Sequence, residues 1–220
     1  MLYNGDFENR DSLSQDLVNW KFLNSVDICT TNDTKLGFGL KEKLLPQNGL
    51  TYIGLGNFSI NFPNYREFII GKLKAPLRKN HKYLLSFYVA YGSESSFFCK
   101  DMYAFFYNSI DSLNPDNPYP VIDSIRIPLN SKMKSEHWTL YQDTVYSSGD
   151  VEYIGIGNLI LNDKLLHIKK CGRNFFCAYS YFFIDNISLV ALQYEGDYTR
   201  NFTGEEGELP DTLGRYYIKH

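Results

Sequence analysis

An all-β fold, an antiparallel β-sandwich, is what this sequence predicts, and three observations predict it. Tyr83, Leu85, Phe87, Val89 and Tyr91 alternate with Leu84, Ser86, Tyr88 and Ala90, the period of two that marks a strand with one core face. Similar stretches recur along the chain, separated by Gly, Pro and Asn turns. The 18 Tyr and 16 Phe make the chain 16% aromatic, and these residues favour pleated, half-buried surfaces.

Taken in order, Asn4-Gly-Asp-Phe-Glu8 opens the chain and a polar stretch leads to Trp20-Lys-Phe-Leu, where Trp20 reads as a core anchor. Residues 29–48 are rich in Gly, Thr and Lys and read as loop. Leu50 to Leu55 and Glu67 to Leu73 read as strands, and Lys79-Asn80-His81 as a turn, because Asn tolerates the left-handed conformation. Lys82 to Tyr91 is the clearest strand. In Met102 to Asn108, Tyr103, Phe105 and Tyr107 share one face and Met102, Ala104 and Phe106 the other. A loop with prolines at 115, 118 and 120 follows, then strands at 121–129, 137–146 and 151–161. In the last of these Ile154 and Ile156 point inward, and Gly155 and Gly157 open the opposite face to a close approach or a bulge. Residues 162–180 form a basic loop bearing Cys171 and Cys177. Ser180 to Leu192 is the closing strand, and residues 195–220 read as a Gly- and Glu-rich tail or linker outside the domain at 1–194.

The composition excludes several functions. At 44% apolar and 21% charged the chain is globular. A net charge of −3 and a pI near 5.8 lack the basic stripe of a nucleic-acid binder. No apolar run reaches the ~20 residues of a membrane helix. The opening directly on a domain-like motif leads us to expect a removed leader, and hence an extracellular or cell-surface protein. The four cysteines give no zinc pattern. The spacing of Cys171 and Cys177 allows a disulfide, and free buried thiols are the alternative. Gly-x-Ser-x-Gly, His-Glu-x-x-His and a phosphate-binding loop are all missing. A thiol–imidazole pair of Cys99 or Cys177 with His137 or His167 has no local signature. No enzyme is expected.

Asp185 stands out in the closing strand, since a carboxylate there must be neutralised if it is buried. A cation, a buried Arg or backbone donors would each serve. If the two ends of the chain lie side by side, Glu8 and Asp185 share one cation.

The ordered motifs resemble the jelly-roll carbohydrate-binding modules of galactose-binding-like fold found in bacterial secreted and surface proteins. The resemblance rests on Asn4 to Glu8, Trp20, Thr51-Tyr-Ile-Gly-Leu55, Glu67-Phe-Ile with Lys72-Leu73 and Pro76-Leu77, and Tyr83 to Val89. It continues through Trp138, Glu152-Tyr-Ile-Gly-Ile-Gly-Asn158 and Tyr181 to Leu189, and so covers residues 4 to 192. The chain departs from the pattern at Asn80, where Gly is commoner, and in its long loops. The resemblance implies a structural Ca²⁺ held by the side chains of Glu8 and Asp185, the carbonyl of Asp6 and carbonyls near Asn48. It implies a non-catalytic module for a polysaccharide or glycan, within a larger surface protein. The alternative is a protein-interaction or adhesion domain without a glycan ligand.

For a glycan, the relevant surface is the sheet face turned from the core. The expected register puts Tyr88, Phe106 and Met102 there, with Tyr119 on the Pro-rich loop and Asn108, Arg126 and Asn158 as polar partners. The same rings packed under a loop or a neighbouring domain are the competing reading.

Overall fold

The computed structural model describes residues 1–12, 16–32, 43–62, 65–111, 113, 121–130, 132–135, 137–158, 167–169 (backbone) and 179–192. Tyr119, the Cys171–Cys177 loop and the tail at 195–220 lie outside them. The described residues form twelve strands: β1 Trp20–Leu23, β2 Asp27–Thr30, β3 Thr51–Ser59, β4 Phe68–Leu77, β5 Lys82–Tyr91, β6 Phe97–Cys99, β7 Asp101–Tyr107, β8 Asp123–Pro128, β9 Thr139–Tyr146, β10 Val151–Gly157, β11 His167–Lys169 and β12 Tyr179–Ala191. Among the described residues there is no helix, and hence none long and apolar enough to cross a membrane. β2, β6 and β11 fall in segments too short or too polar for alternation to reveal.

Two five-stranded antiparallel sheets make a jelly-roll sandwich. One has the order β1-β4-β10-β7-β8, the other β2-β3-β12-β5-β9, and β6 and β11 form a small extra pair. Each sheet gives one face to a common core. β4, β7 and β10 contribute Ile69, Met102, Ala104, Phe106, Ile154 and Ile156; β3, β5 and β12 contribute Ile53, Leu55, Leu85, Phe87, Phe182 and Ile184. Burying such side chains contributes roughly 1.5–3 kcal/mol each.

The first sheet also packs its outer face, where Phe68, Ile70, Phe105 and Tyr107 form a second apolar cluster with Leu23 and Leu113. Gly155 sits beneath this layer. A Cβ there would lie 2.0 Å from the Phe105 ring, so the glycine admits a core ring and not a ligand. Because β7 is buried on both sides, its alternation is apolar on both parities. Phe106 and Met102 face the inter-sheet core, at 1% and 0% exposure. This corrects the expectation that placed them on the outer face.

Turn chemistry agrees with the sequence. Asn80 has φ +60°, the left-handed turn expected between β4 and β5. Trp20 packs against the core beside Phe7, its Nε1 donating to the Asn4 carbonyl at 2.8 Å. The N-terminal segment runs beside β12: the Met1 amine donates to Leu189 O at 2.6 Å and Ile187 N–H to Gly5 O at 2.8 Å.

Candidate functional site

The N-terminal segment does meet β12, and the two bring Glu8 and Asp185 to the segment at 47–51. Glu8 Oε1 accepts the Leu50 and Thr51 amides, each at 2.8 Å. Asp185 Oδ2 accepts the amides of Gln47 (2.8 Å) and Asn48 (3.2 Å), and Oδ1 that of Asn186 (2.6 Å). The fully buried Asp185 thus rests on backbone donors. Its carboxyl is raised to about 6: burial is the main cause, the amides oppose it, and the charge of Glu8 adds to it. The two acids therefore stand close enough to repel.

Some acceptor capacity remains on that pair. Each carboxylate has about four lone-pair positions, so Glu8 Oε2 and one position on Asp185 remain after the amide bonds. No group of three or more His, Cys, Asp or Glu is gathered here or elsewhere among the described residues, so a hard cation would need carbonyls such as that of Asp6.

Of the six residues expected to bind a ligand, Tyr119 lies outside the described residues, and the other five are not brought together. Tyr88 is half-buried on the outer side of the second sheet, paired with Asp185 and Leu140. Phe106 is in the core. Asn158 is also fully buried, its side chain donating to the Asn57 carbonyl at 2.9 Å; it braces the sandwich and offers nothing to a ligand, which corrects its placement as a polar partner. Arg126 is on the opposite sheet, its Nε bonded to Asp101 Oδ1 at 2.7 Å. Asn108 is exposed just beyond β7. Cys99 is buried and its thiol is pushed up to about 12 by burial, the reverse of an activated nucleophile.

A different set of residues forms a cleft. Ser25, Asp27, Gly56, Phe62, Tyr65, Glu67, Tyr179 and Tyr181 line a cavity of about 400 Å³ over β2, β3 and β12. Its floor is cleared by glycines. On β3, Tyr52, Gly54 and Gly56 take the outer parity, and a Cβ on Gly54 would lie 2.7 Å from the Tyr181 hydroxyl. With that space open, Tyr181 lies across β3 and donates to Asp27 on β2. Gly56 does the same for Glu67: its N–H donates to Glu67 Oε2, while the Glu67 N–H donates back to Gly56 O at 3.2 Å.

Glu67 Oε1 then accepts the Tyr65 hydroxyl at 2.7 Å and the Ser25 hydroxyl at 3.3 Å. Ser25 and Tyr65 also bond to one another, and the Asn24 side chain donates to Arg66 O, tying the two loops that flank the cleft. Burial pushes the Glu67 carboxyl up to about 7; three neutral donors oppose this, and the charge of Asp27 reinforces it. Burial likewise raises the phenols of Tyr65 and Tyr181. Phe62, 55% exposed, stands at the rim beside Tyr65, with ring centroids 6.3 Å apart. Sequence reasoning missed this cleft. Its one legible signal was the alternation Ile53-Gly-Leu55-Gly, glycines repeated on a single strand face.

No family model matches the chain, and no curated protein is similar to it in sequence. Several solved structures are similar in fold. A CBM4 module is 12% identical with a TM-score of 0.43, covering 87% of this chain and 100% of its own. The CBM22 xylan-binding domain of a Paenibacillus barcinonensis protein is 11% identical with a TM-score of 0.45, covering 86% and 93%. The first cleaved adhesin domain of Lys-gingipain from Porphyromonas gingivalis is 11% identical with a TM-score of 0.43, covering 80% and 92%. Similarities of this size assign no ligand to the chain.

Proposed function

We propose that this chain is a non-catalytic, extracellular glycan-binding module that holds its ligand in the cleft over β2, β3 and β12. One observation carries this reading: four aromatic side chains surround two hydrogen-bonded acids in a concave site of about 400 Å³ on an outer sheet face. Sugars stack C–H faces on aromatic rings and exchange hydrogen bonds with hydroxyls and carboxylates, and the cleft has the size of a small-ligand site. A polysaccharide is the expected partner, with the module one part of a larger surface protein. A structural Ca²⁺ belongs to the same reading: the side chains of Glu8 and Asp185 with carbonyls at Asp6 and near Asn48 would hold it, and it would tie the chain ends together without taking part in binding.

The reading is tested with a panel of soluble polysaccharides in affinity electrophoresis. Wild type is retarded by at least one of them. Phe62→Ala, at an exposed rim position, loses that retardation while its melting temperature is unchanged. Retardation by none, or equal retardation of the variant, contradicts it.

A second reading, a protein-interaction or adhesion surface, is favoured by Leu140, Tyr146 and Val190, which are 46%, 59% and 51% exposed on β9 and β12. Self-association, seen as a mass that rises with concentration and is abolished by Leu140→Ser, distinguishes it.

A further inference from the structure

Two acids, Asp27 and Glu67, share the cleft. Asp27 accepts the Tyr181 hydroxyl, and Glu67 accepts Gly56 N–H, the Tyr65 hydroxyl and the Ser25 hydroxyl. Every one of these donors is neutral. None of the eight lining residues is Lys, Arg or His. The acids are close enough for the charge of Asp27 to act on Glu67. A site built this way repels an anion, and a neutral sugar leaves the charge uncompensated. An ammonium group satisfies it twice: it forms charge-assisted hydrogen bonds with the carboxylates, and it is attracted to the faces of aromatic rings. Four such rings line the same cleft.

We propose that the cleft selects glycans carrying a free amine, of the glucosamine type, with the ammonium bound between Asp27 and Glu67. The proposal rests on the glycan-binding reading of this cleft and adds the class of sugar. Uronic, sulfated and phosphorylated sugars are excluded by like charge. An N-acetylated sugar loses both the charge and the fit of a compact ammonium.

Three hexamers of one β-1,4-linked backbone separate these contributions: glucosamine hexamer (amine at carbon two), its N-acetylated form (amide) and cellohexaose (hydroxyl). Titration calorimetry at about pH 7 and low salt keeps part of the amine protonated and the charge pair weakly screened. The amine form binds wild type at least about tenfold more tightly than the other two, as a charged hydrogen bond implies. Glu67→Gln and Asp27→Asn each reduce that preference to less than about threefold. Glu152→Gln, an exposed position away from the cleft that removes the same charge, keeps the full preference and so excludes general attraction to an acidic protein.

If cellohexaose or the acetylated hexamer binds as tightly as the amine form, amine selection is wrong and glycan binding stands. If none of the three binds, amine selection is wrong, and the polysaccharide panel decides the glycan reading separately. If Glu152→Gln loses the preference as fully as the two cleft variants do, the amine is held by net charge and the proposal is overturned.

Discussion

Glu67 joins the segment before β4 to β3 through both its backbone and its side chain. Its backbone N–H pairs with Gly56 at the start of β4, and its carboxylate returns to the same glycine while meeting Tyr65 and Ser25. The folded carboxyl titrates near 7, above its ordinary value of 4.5, so the folded state favours the proton. The stabilising contribution of the protonated form is complete below about pH 4.5 and is lost as pH rises through about 7. Asp27, Tyr65, Tyr179 and Tyr181 are the titratable groups that line the cleft with it. Between about pH 4.5 and 8, wild type should therefore lose about 3 kcal/mol more stability than Glu67→Gln. Denaturant unfolding at the two ends of that range checks this, and parallel curves for the two proteins contradict it. Gly54→Ala tests the floor of the cleft. Its Cβ would press on the Tyr181 hydroxyl at 2.7 Å, displacing the bond to Asp27, and a loss of roughly 1–3 kcal/mol is expected from overpacking.

At the scale of elements, legibility followed one-sided burial. β5 alternates an inward set of Tyr83, Leu85, Phe87 and Val89 with less buried residues, and its limits in the structure are those the alternation predicts. β10 likewise turns Ile154 and Ile156 inward as expected. β7 defeated the same logic because both of its faces are buried, so parity carries no sign and Phe106 was assigned to the wrong side. The cleft was hidden for another reason. Its residues come from β2, the segment before β4, and the start of β12, and each is unremarkable within its own stretch; only the pairing of β2 and β12 on either side of β3 assembles them. The Gly155 position sharpens the contrast with Gly54. Both are strand glycines under an aromatic side chain, but Phe105 fills the space over Gly155, whereas Tyr181 leaves an open cleft. Gly155→Ala should destabilise the fold by at least about 2 kcal/mol without altering any ligand contact in the cleft; thermal unfolding together with binding separates the two effects.

For the molecule as a whole, the sandwich was legible from the sequence because two antiparallel sheets repeat a simple pattern many times. The lone acid within an apolar strand did signal a junction with the N-terminal segment, but the partners that satisfy Asp185 are backbone amides and not Glu8. The amide donors at 47–51 were not legible, since backbone groups carry no residue signature. Those amides already satisfy much of Asp185 and Glu8, so a cation would add to a preformed junction. Its effect is a mass-action rise in melting temperature with added CaCl₂, reversed by EDTA and missing in Glu8→Ala. An unchanged melting temperature contradicts the cation and leaves the cleft untouched, because the two sites occupy different parts of the second sheet. On the proposed reading, ligand is held in the cleft and not on the sheet face near Tyr88. The most direct measurement is calorimetric titration of the best-retarded glycan against wild type, Phe62→Ala and Tyr88→Ala. Loss of affinity of at least about tenfold in Phe62→Ala, with Tyr88→Ala close to wild type, is the predicted result. Loss in Tyr88→Ala with Phe62→Ala unaffected would contradict it and move the binding surface to the face above β5.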